Sequence, residues 1–300
     1  MIGTRHNPNA VRRRRAVSRL ALAGTLLLAG CAGPVLPGGA PAGRPAQATL
    51  SLEETEALVR RAVGRRPRLR TLYATALMRF DDTPEDFSLA VNAELLARRP
   101  DRLLLRATRA LGQVEAFEVL LYDETLAFHI PRRGALYEGP VSDLSGRSVD
   151  FQPGALMGHV MEPDRGLTGR IWRPAVRRAG AFVVEELGRP GRDRLRIRID
   201  AASGELREME ELAPGGDVQF AKRYERYREL DGLIGPSAFP VTVALAWPAD
   251  GRRVFVEFRT VQPDPPLEEG AWALDIPPET RIRPLAEIEV ESDPAGEAAP

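Results

Sequence analysis

Chemistry in this chain must come from very few side chains. There is one cysteine, Cys31, and there are three histidines in 300 residues. A lone cysteine excludes a disulfide framework and a cysteine-built zinc site. His129 follows Phe128 in an alternating run and should face away from Leu126, Phe128 and Ile130. It is expected as an exposed strand residue, not as a ligand or a base. His159 stands in a short apolar stretch, with no second histidine at metal-ligand spacing. Ser142, Ser145 and Ser148 are spaced like a loop, and no Gly-x-Ser-x-Gly elbow is present to present a nucleophile. Gly112, Gly134 and Gly139 do not form a phosphate-cradling loop. No constellation supports catalysis, so the expectation is a non-enzyme without metal or cofactor.

Cys31 is different, because its surroundings are organised around it. Residues 12–15 are four arginines, and residues 20–29 form a short apolar core. That core is too short to span a bilayer, which takes roughly 20 apolar residues. It ends in Leu28-Ala29-Gly30-Cys31. The tetrapeptide resembles the lipobox of bacterial lipoproteins. The resemblance implies that residues 1–30 are a signal peptide and that the Cys31 thiol carries a diacylglycerol at the new N-terminus. Two or more acyl chains hold a protein stably on a membrane, at ~0.8 kcal/mol per buried CH₂. The residue after Cys31 is Ala32 rather than Asp, which leans towards a periplasm-facing position on the outer membrane.

The elements behind the anchor read as one domain. The composition is globular, 43% hydrophobic and 28% charged. Basic and acidic residues balance at 42 each, which gives no nucleic-acid footprint. Residues 1–30 hold six arginines and no acid, so without them the chain carries a net charge of −6. Residues 31–50 are rich in Pro, Gly and Ala and read as a tether reaching about 50 Å or less at ~3 Å per residue. Ser51 and Glu54 form a capping-box pair, which predicts a helix over residues 52–64.

From Leu69 the apolar period becomes two. Alternating runs follow near residues 72–80, 87–95, 103–107, 117–121, 126–130 and 135–137, joined by short turns such as Arg99-Pro100-Asp101. Residues 153–161 suggest a short apolar helix. Strands then resume near residues 182–187, 195–199, 206–212, 218–227, 241–247 and 254–261, with Asp250-Gly251 as a hairpin turn. The expected fold is mainly β (α+β): a single curved antiparallel half-barrel of about eleven strands, covered by two or three helices. It should occupy residues 51–285, with an acidic disordered tail at 286–300.

This order resembles the LolA/LolB-like lipoprotein-carrier superfamily, in its poorly characterised lipoprotein branch. Three stretches carry the resemblance. The first is Phe87 to Leu95 followed by Arg99-Pro100-Asp101-Arg102-Leu103-Leu104-Leu105; the second runs from Leu111-Gly112 to Ile130-Pro131. The third is the close, Trp272-Ala273-Leu274-Asp275-Ile276-Pro277-Pro278, which looks like a terminal apolar strand followed by Pro-Pro. The resemblance implies a half-barrel whose apolar inner face binds acyl chains of a lipid or lipoprotein, or grips an envelope protein partner. The loops at residues 132–134 and 189–192 are basic, unlike a protruding apolar insertion loop.

Alternation fixes which side chains share the inner face. They are Leu72, Met78, Phe87, Leu89, Val91, Leu103, Leu105, Phe117, Val119, Leu126 and Phe128. A one-residue slip would instead bury Arg79, Glu94, Arg106 and Glu118, at several kcal/mol per unpaired charge. Ala74, Ala76 and Ala93 lie in the same phase and leave room there. Arg194, Arg196 and Arg198 should form a solvated outer face paired with Glu208 and Glu210.

Overall fold

Ser51 starts the domain. In the computed structural model its hydroxyl accepts the Glu54 N–H, while the Glu54 carboxylate accepts the Ser51 N–H at 2.7 Å. This closed capping box opens α1, Leu52–Gly64, over the residues the sequence predicts. The structure describes residues 48–65, 69–109, 114–144, 161, 166–167, 169–188, 191–230 and 238–288. All of these belong to one compact unit, Gln47–Pro300.

Among the described residues fourteen strands follow. The first six are β1 (Thr71–Asp82), β2 (Phe87–Arg98), β3 (Arg102–Arg109), β4 (Glu115–Tyr122), β5 (Thr125–Ile130) and β6 (Ala135–Pro140). The next four are β7 (Val176–Arg178), β8 (Ala181–Glu185), β9 (Arg194–Asp200) and β10 (Leu206–Leu212). The last are β11 (Val218–Glu229), β12 (Ala238–Trp247), β13 (Arg252–Pro263) and β14 (Arg281–Pro284). They form one sheet in the order β14-β6-β5-β4-β3-β2-β1-β13-β12-β11-β10-β9-β8-β7. Each half is a run of hairpins, and β1 and β13 join the halves. The sheet is open, with β7 and β14 at its ends.

The expectation of about eleven strands is thus corrected to fourteen. No alternating run in the sequence marks β7 or β14, which have three and four residues, too few to display a period of two. The pairing is also not wholly antiparallel, because β14 runs parallel to β6. The expected cover of two or three helices reduces, among the described residues, to α1 and four short 3-10 turns. Of the predicted helix near residue 157, only Met161 is described; it is helical and buried.

The core lies between α1 and one face of the sheet. Val59 and Ala62 of α1 share a buried apolar cluster with Leu72, Met78, Val91, Leu105 and Val256. Thr55 locks the helix to the sheet's end, accepting the Ala175 N–H on its hydroxyl at 2.8 Å. The incoming chain covers the β7 edge: Thr49 bridges Val176, and the Leu50 N–H donates to the Ala175 carbonyl at 2.9 Å. This leaves fewer unpaired edge groups.

The chain's C-terminal part behaves differently from its sequence reading. Residues 273–278 are irregular rather than a strand, and they lie against the outer face of the sheet. Trp272 packs there with Leu96 and Leu104. Beyond Pro284 the chain is still anchored, since Leu285 and Ile288 are buried in the main core. The expected tail boundary therefore moves past Ile288; residues 289–300 lie outside the described residues, as does the segment that carries Cys31.

Candidate functional site

The inner face is built from cross-strand rows. Leu95, Leu105, Val119, Phe128 and Tyr137 are successive partners on β2 to β6. Ala97, Leu103, Leu121 and Leu126 form the next row. Val91, Met78, Val256 and Val243 continue the face through β13 and β12. Register is fixed by these pairs, since a slip would exchange the apolar face for the charged one.

The predicted inner residues separate into two groups. Leu72, Met78, Val91, Leu103, Leu105, Val119 and Leu126 are buried, none more than 2% exposed. They form a sealed floor. Ala74, Ala76 and Ala93 are sealed as well, and Ala76, Ala93 and Ala107 are direct neighbours across three strands. Phe87, Leu89, Phe117 and Phe128 are only half-buried. Phe117 stacks on Phe128 with ring centroids 5.5 Å apart, and Phe80 meets Phe117 edge-on at 6.4 Å. Leu89 is the β1–β2 partner of Phe80. The half-buried aromatic group forms an apolar mouth beside the sealed floor. Phe87 sits at its rim, opposite Asp82, whose carboxylate holds Arg252 at 3.0 Å.

A separate surface cleft of about 610 Å³ opens at the β8–β9 side, lined by Arg170, Ile171, Glu186, Leu187, Arg192 and Asp193. None of the predicted inner residues reaches it. Arg170 pairs there with Glu186. The predicted ion pairs of β9 are present: Arg196 holds Glu210 at 2.6 Å and Arg198 holds Glu208 at 3.5 Å.

The outer face carries a second arrangement. Glu94, Arg106, Glu118 and His129 are successive cross-strand partners on β2 to β5. They point away from the core, as alternation requires. His129 is nonetheless buried, only 1% exposed, which corrects its expected exposure. The cause is the segment at residues 272–275 lying over this row. Arg106 donates to the Ala273 carbonyl at 2.9 Å, and the Asp275 N–H donates to Glu118 Oε2 at 3.2 Å. Glu118 also accepts from Arg106 Nε at 3.0 Å. His129 Nδ1 stands 3.6 Å from Glu118 Oε2, and among the described residues neither ring nitrogen has a hydrogen-bond partner.

Glu115 joins this row through an irregularity. Plain alternation would put residues 115 and 118 on opposite faces. Pairing between β3 and β4 shifts after Ala107, so that Thr108 faces Glu115 while Ala107 faces Phe117. This bulge returns Glu115 to the outer face. Its oxygen lies with those of Glu118 and a His129 nitrogen, all within 4.8 Å of one another. Burial, then the charge of Glu118, pushes the Glu115 carboxyl above its ordinary range; Asp275 adds to this, while His129 and Arg106 oppose it. Sequence reading missed the group because the bulge and the covering segment carry no local signal.

No protein-family model matches the chain, and no curated protein matches its sequence. Among solved structures, it is similar to a DUF1329 family protein from Desulfovibrio piger, with a TM-score of 0.52 and 11% identity, covering 75% of this chain and 98% of that one. A putative outer membrane lipoprotein-sorting protein domain from Vibrio parahaemolyticus overlaps at TM-score 0.47 and 12% identity, over 74% of this chain and 97% of that one. A LolA superfamily protein from Nitrosomonas europaea overlaps at TM-score 0.45 and 14% identity, over 73% and 97%. At such identities the likeness is one of fold. The chain's structural neighbours are LolA-superfamily and lipoprotein-sorting proteins and a DUF1329 protein, each matched over nearly its whole length.

Proposed function

We propose that this chain is a lipid-anchored envelope protein that takes acyl chains, of a lipid or of an acylated protein, at the apolar mouth of its sheet. One observation carries the reading. Phe80, Phe87, Leu89, Phe117 and Phe128 remain half-buried beside a floor that is otherwise sealed. Apolar side chains left open together are suited to an apolar ligand. The ligand here would lie across the Phe117–Phe128 stack and against Leu89. The row of small residues, Ala76, Ala93 and Ala107, runs beside Phe117 on the same face. The sequence around Cys31 supports the anchor, and Ala32 supports an outer-membrane position facing the periplasm. The net charge of −6 left once residues 1–30 are removed disfavours nucleic acid.

The test is native mass spectrometry on the Cys31→Ala protein, released from the membrane without acylation. Co-purifying lipid that is lost in Phe117→Arg supports the reading. Bare protein, with a stable protein complex instead, would replace it by a partner-gripping role for the same face. Membrane attachment is checked separately. Cys31→Ala should leave the membrane fraction after a salt wash, and retention would refute the anchor.

A further inference from the structure

The outer-face group of β4 and β5 is not explained by acyl-chain binding. His129 is fully enclosed, and burying a polar group without a hydrogen bond costs free energy. Its nearest charged neighbour, Glu118, is 3.6 Å away, beyond hydrogen-bond range. Glu118 is held from two other sides, by Arg106 on Oε1 and by the Asp275 N–H on Oε2. Such outer-shell bonds orient a carboxylate ligand. Glu115 pairs with Thr108 in the strand ladder, and the bulge turns its carboxylate into the same space.

We propose that Glu115, Glu118 and His129 form a binding site for one divalent transition cation, with zinc as the ion of choice. An imidazole nitrogen with two carboxylates suits such an ion; an oxygen-only shell would suit calcium or magnesium. Zinc–ligand bonds of about 2.0–2.2 Å place tetrahedral ligand atoms roughly 3.3 Å apart. The His129–Glu118 separation is 3.6 Å, and all three ligand atoms lie within 4.8 Å of one another. Small side-chain rotations close the remaining gap. Three protein ligands leave a fourth position for water or for Asp275, whose charge acts on Glu115. The local charge agrees: Glu118 and Asp275 lie close enough to act on Glu115, while Arg106 pairs with Glu118 at 3.0 Å and with Glu94 at 3.6 Å. The bound ion would fasten the segment at residues 272–275 to the sheet, because Asp275 and Ala273 already bond to its ligand and its ligand's partner.

The test uses the full chain with Cys31→Ser, so that no thiol competes, purified in mild detergent and stripped with EDTA. Titration calorimetry with Zn²⁺ should give one site per chain, and Co²⁺ should give visible absorption of a low-coordinate site. Loss of an outer-shell partner alone weakens metal sites about 10–100-fold. Glu115→Gln and His129→Gln should therefore each weaken Zn²⁺ binding by at least about tenfold. Glu115 is half-exposed and its replacement nearly isosteric, so that variant keeps the fold even where His129→Gln does not. Zn²⁺ should also slow amide exchange at residues 273–275 in the parent and not in Glu115→Gln. Absence of saturable binding, or binding unchanged in Glu115→Gln, would overturn the site.

Discussion

The division between a sealed floor and an open mouth makes opposite demands on two single substitutions. Leu105 is fully buried in the row Leu95–Leu105–Val119. Truncation to alanine should cost about 2–5 kcal/mol, through lost transfer energy and the cavity left behind. For a domain of this size each kcal/mol moves Tm by about 2–4 °C, so Leu105→Ala should lower Tm by about 4–20 °C. Phe128 is half-buried and stacked on Phe117 at 5.5 Å. A fully buried phenylalanine would cost about 3–5 kcal/mol, so half burial gives about 1.5–2.5, of which the ring pair supplies about 0.5–1.5.

Ligand binding should rank the two the other way. An acyl chain crossing the Phe117–Phe128 step covers a quarter of one aromatic side chain's area, on the order of 50 Å². At ~25 cal/mol per Å² that is about 1.3 kcal/mol, or close to tenfold in affinity. Phe128→Ala should weaken binding of a fluorescent fatty acid by about that factor. Leu105→Ala, measured well below its own Tm, should change it less than about twofold. Calorimetric melts and fluorescence titrations on the same samples decide it. If Leu105→Ala abolished binding with Tm intact, or Phe128→Ala left binding untouched, the mouth would be misplaced.

Ala93→Trp probes the same floor from a different side: with Ala93 sealed between Ala76 and Ala107, the indole should overpack and cost about 1–3 kcal/mol, seen as a lower Tm, whereas an unchanged Tm would reveal free space there. Ser51→Ala removes the helix cap and should destabilise by ~1 kcal/mol in urea unfolding, with no effect meaning that α1 contributes little to the cooperative unit. Gly251 has φ of +67°, and an added Cβ would lie 2.8 Å from Pro84 Cδ; Gly251→Ala should therefore cost roughly 1–2 kcal/mol or more, and a neutral variant would refute this turn geometry. Asp200 accepts the Ser203 N–H at 2.8 Å and the Ala202 N–H at 3.0 Å, and these bonds hold its carboxyl below its ordinary value. Its stabilisation is therefore present above the unfolded value near pH 4 and is lost as pH falls through the depressed folded value. The stability gap between the protein and Asp200→Asn should close on acidification, and a gap independent of pH would refute it.

Legibility from sequence followed the range of the interactions. The helix start was readable because a capping box spans only Ser51 to Glu54. The hairpins and the inner-face phase were readable because alternation is local and repeats through twelve-residue strands such as β1 and β2. β7 and β14 were not, being set by what they pair with rather than by their own pattern. The separation of floor from mouth was also hidden, because Phe117 and Val119 have the same phase and differ only in what covers them. His129 was misjudged for the same reason. The segment that buries its row bonds to Glu118 from 157 residues further along the chain. No window around His129 contains that information.

The two faces of β4 and β5 bring these threads into one place. Phe117 and Phe128 stand in the mouth, while their chain neighbours Glu118 and His129 are paired on the opposite side of the same two strands. The bulge that turns Glu115 outward lies directly before Phe117. Strand alternation allows an apolar inner surface and a polar, enclosed outer group to be specified by interleaved residues without mutual interference in chemistry. It does not isolate them mechanically, since one backbone carries both. Whatever fixes Glu115, Glu118 and His129 also fixes the local path of β4, and with it the pitch of the Phe117 ring. The segment at residues 272–275 bonds to Glu118 and Arg106 on the side of these strands opposite Phe117 and Phe128.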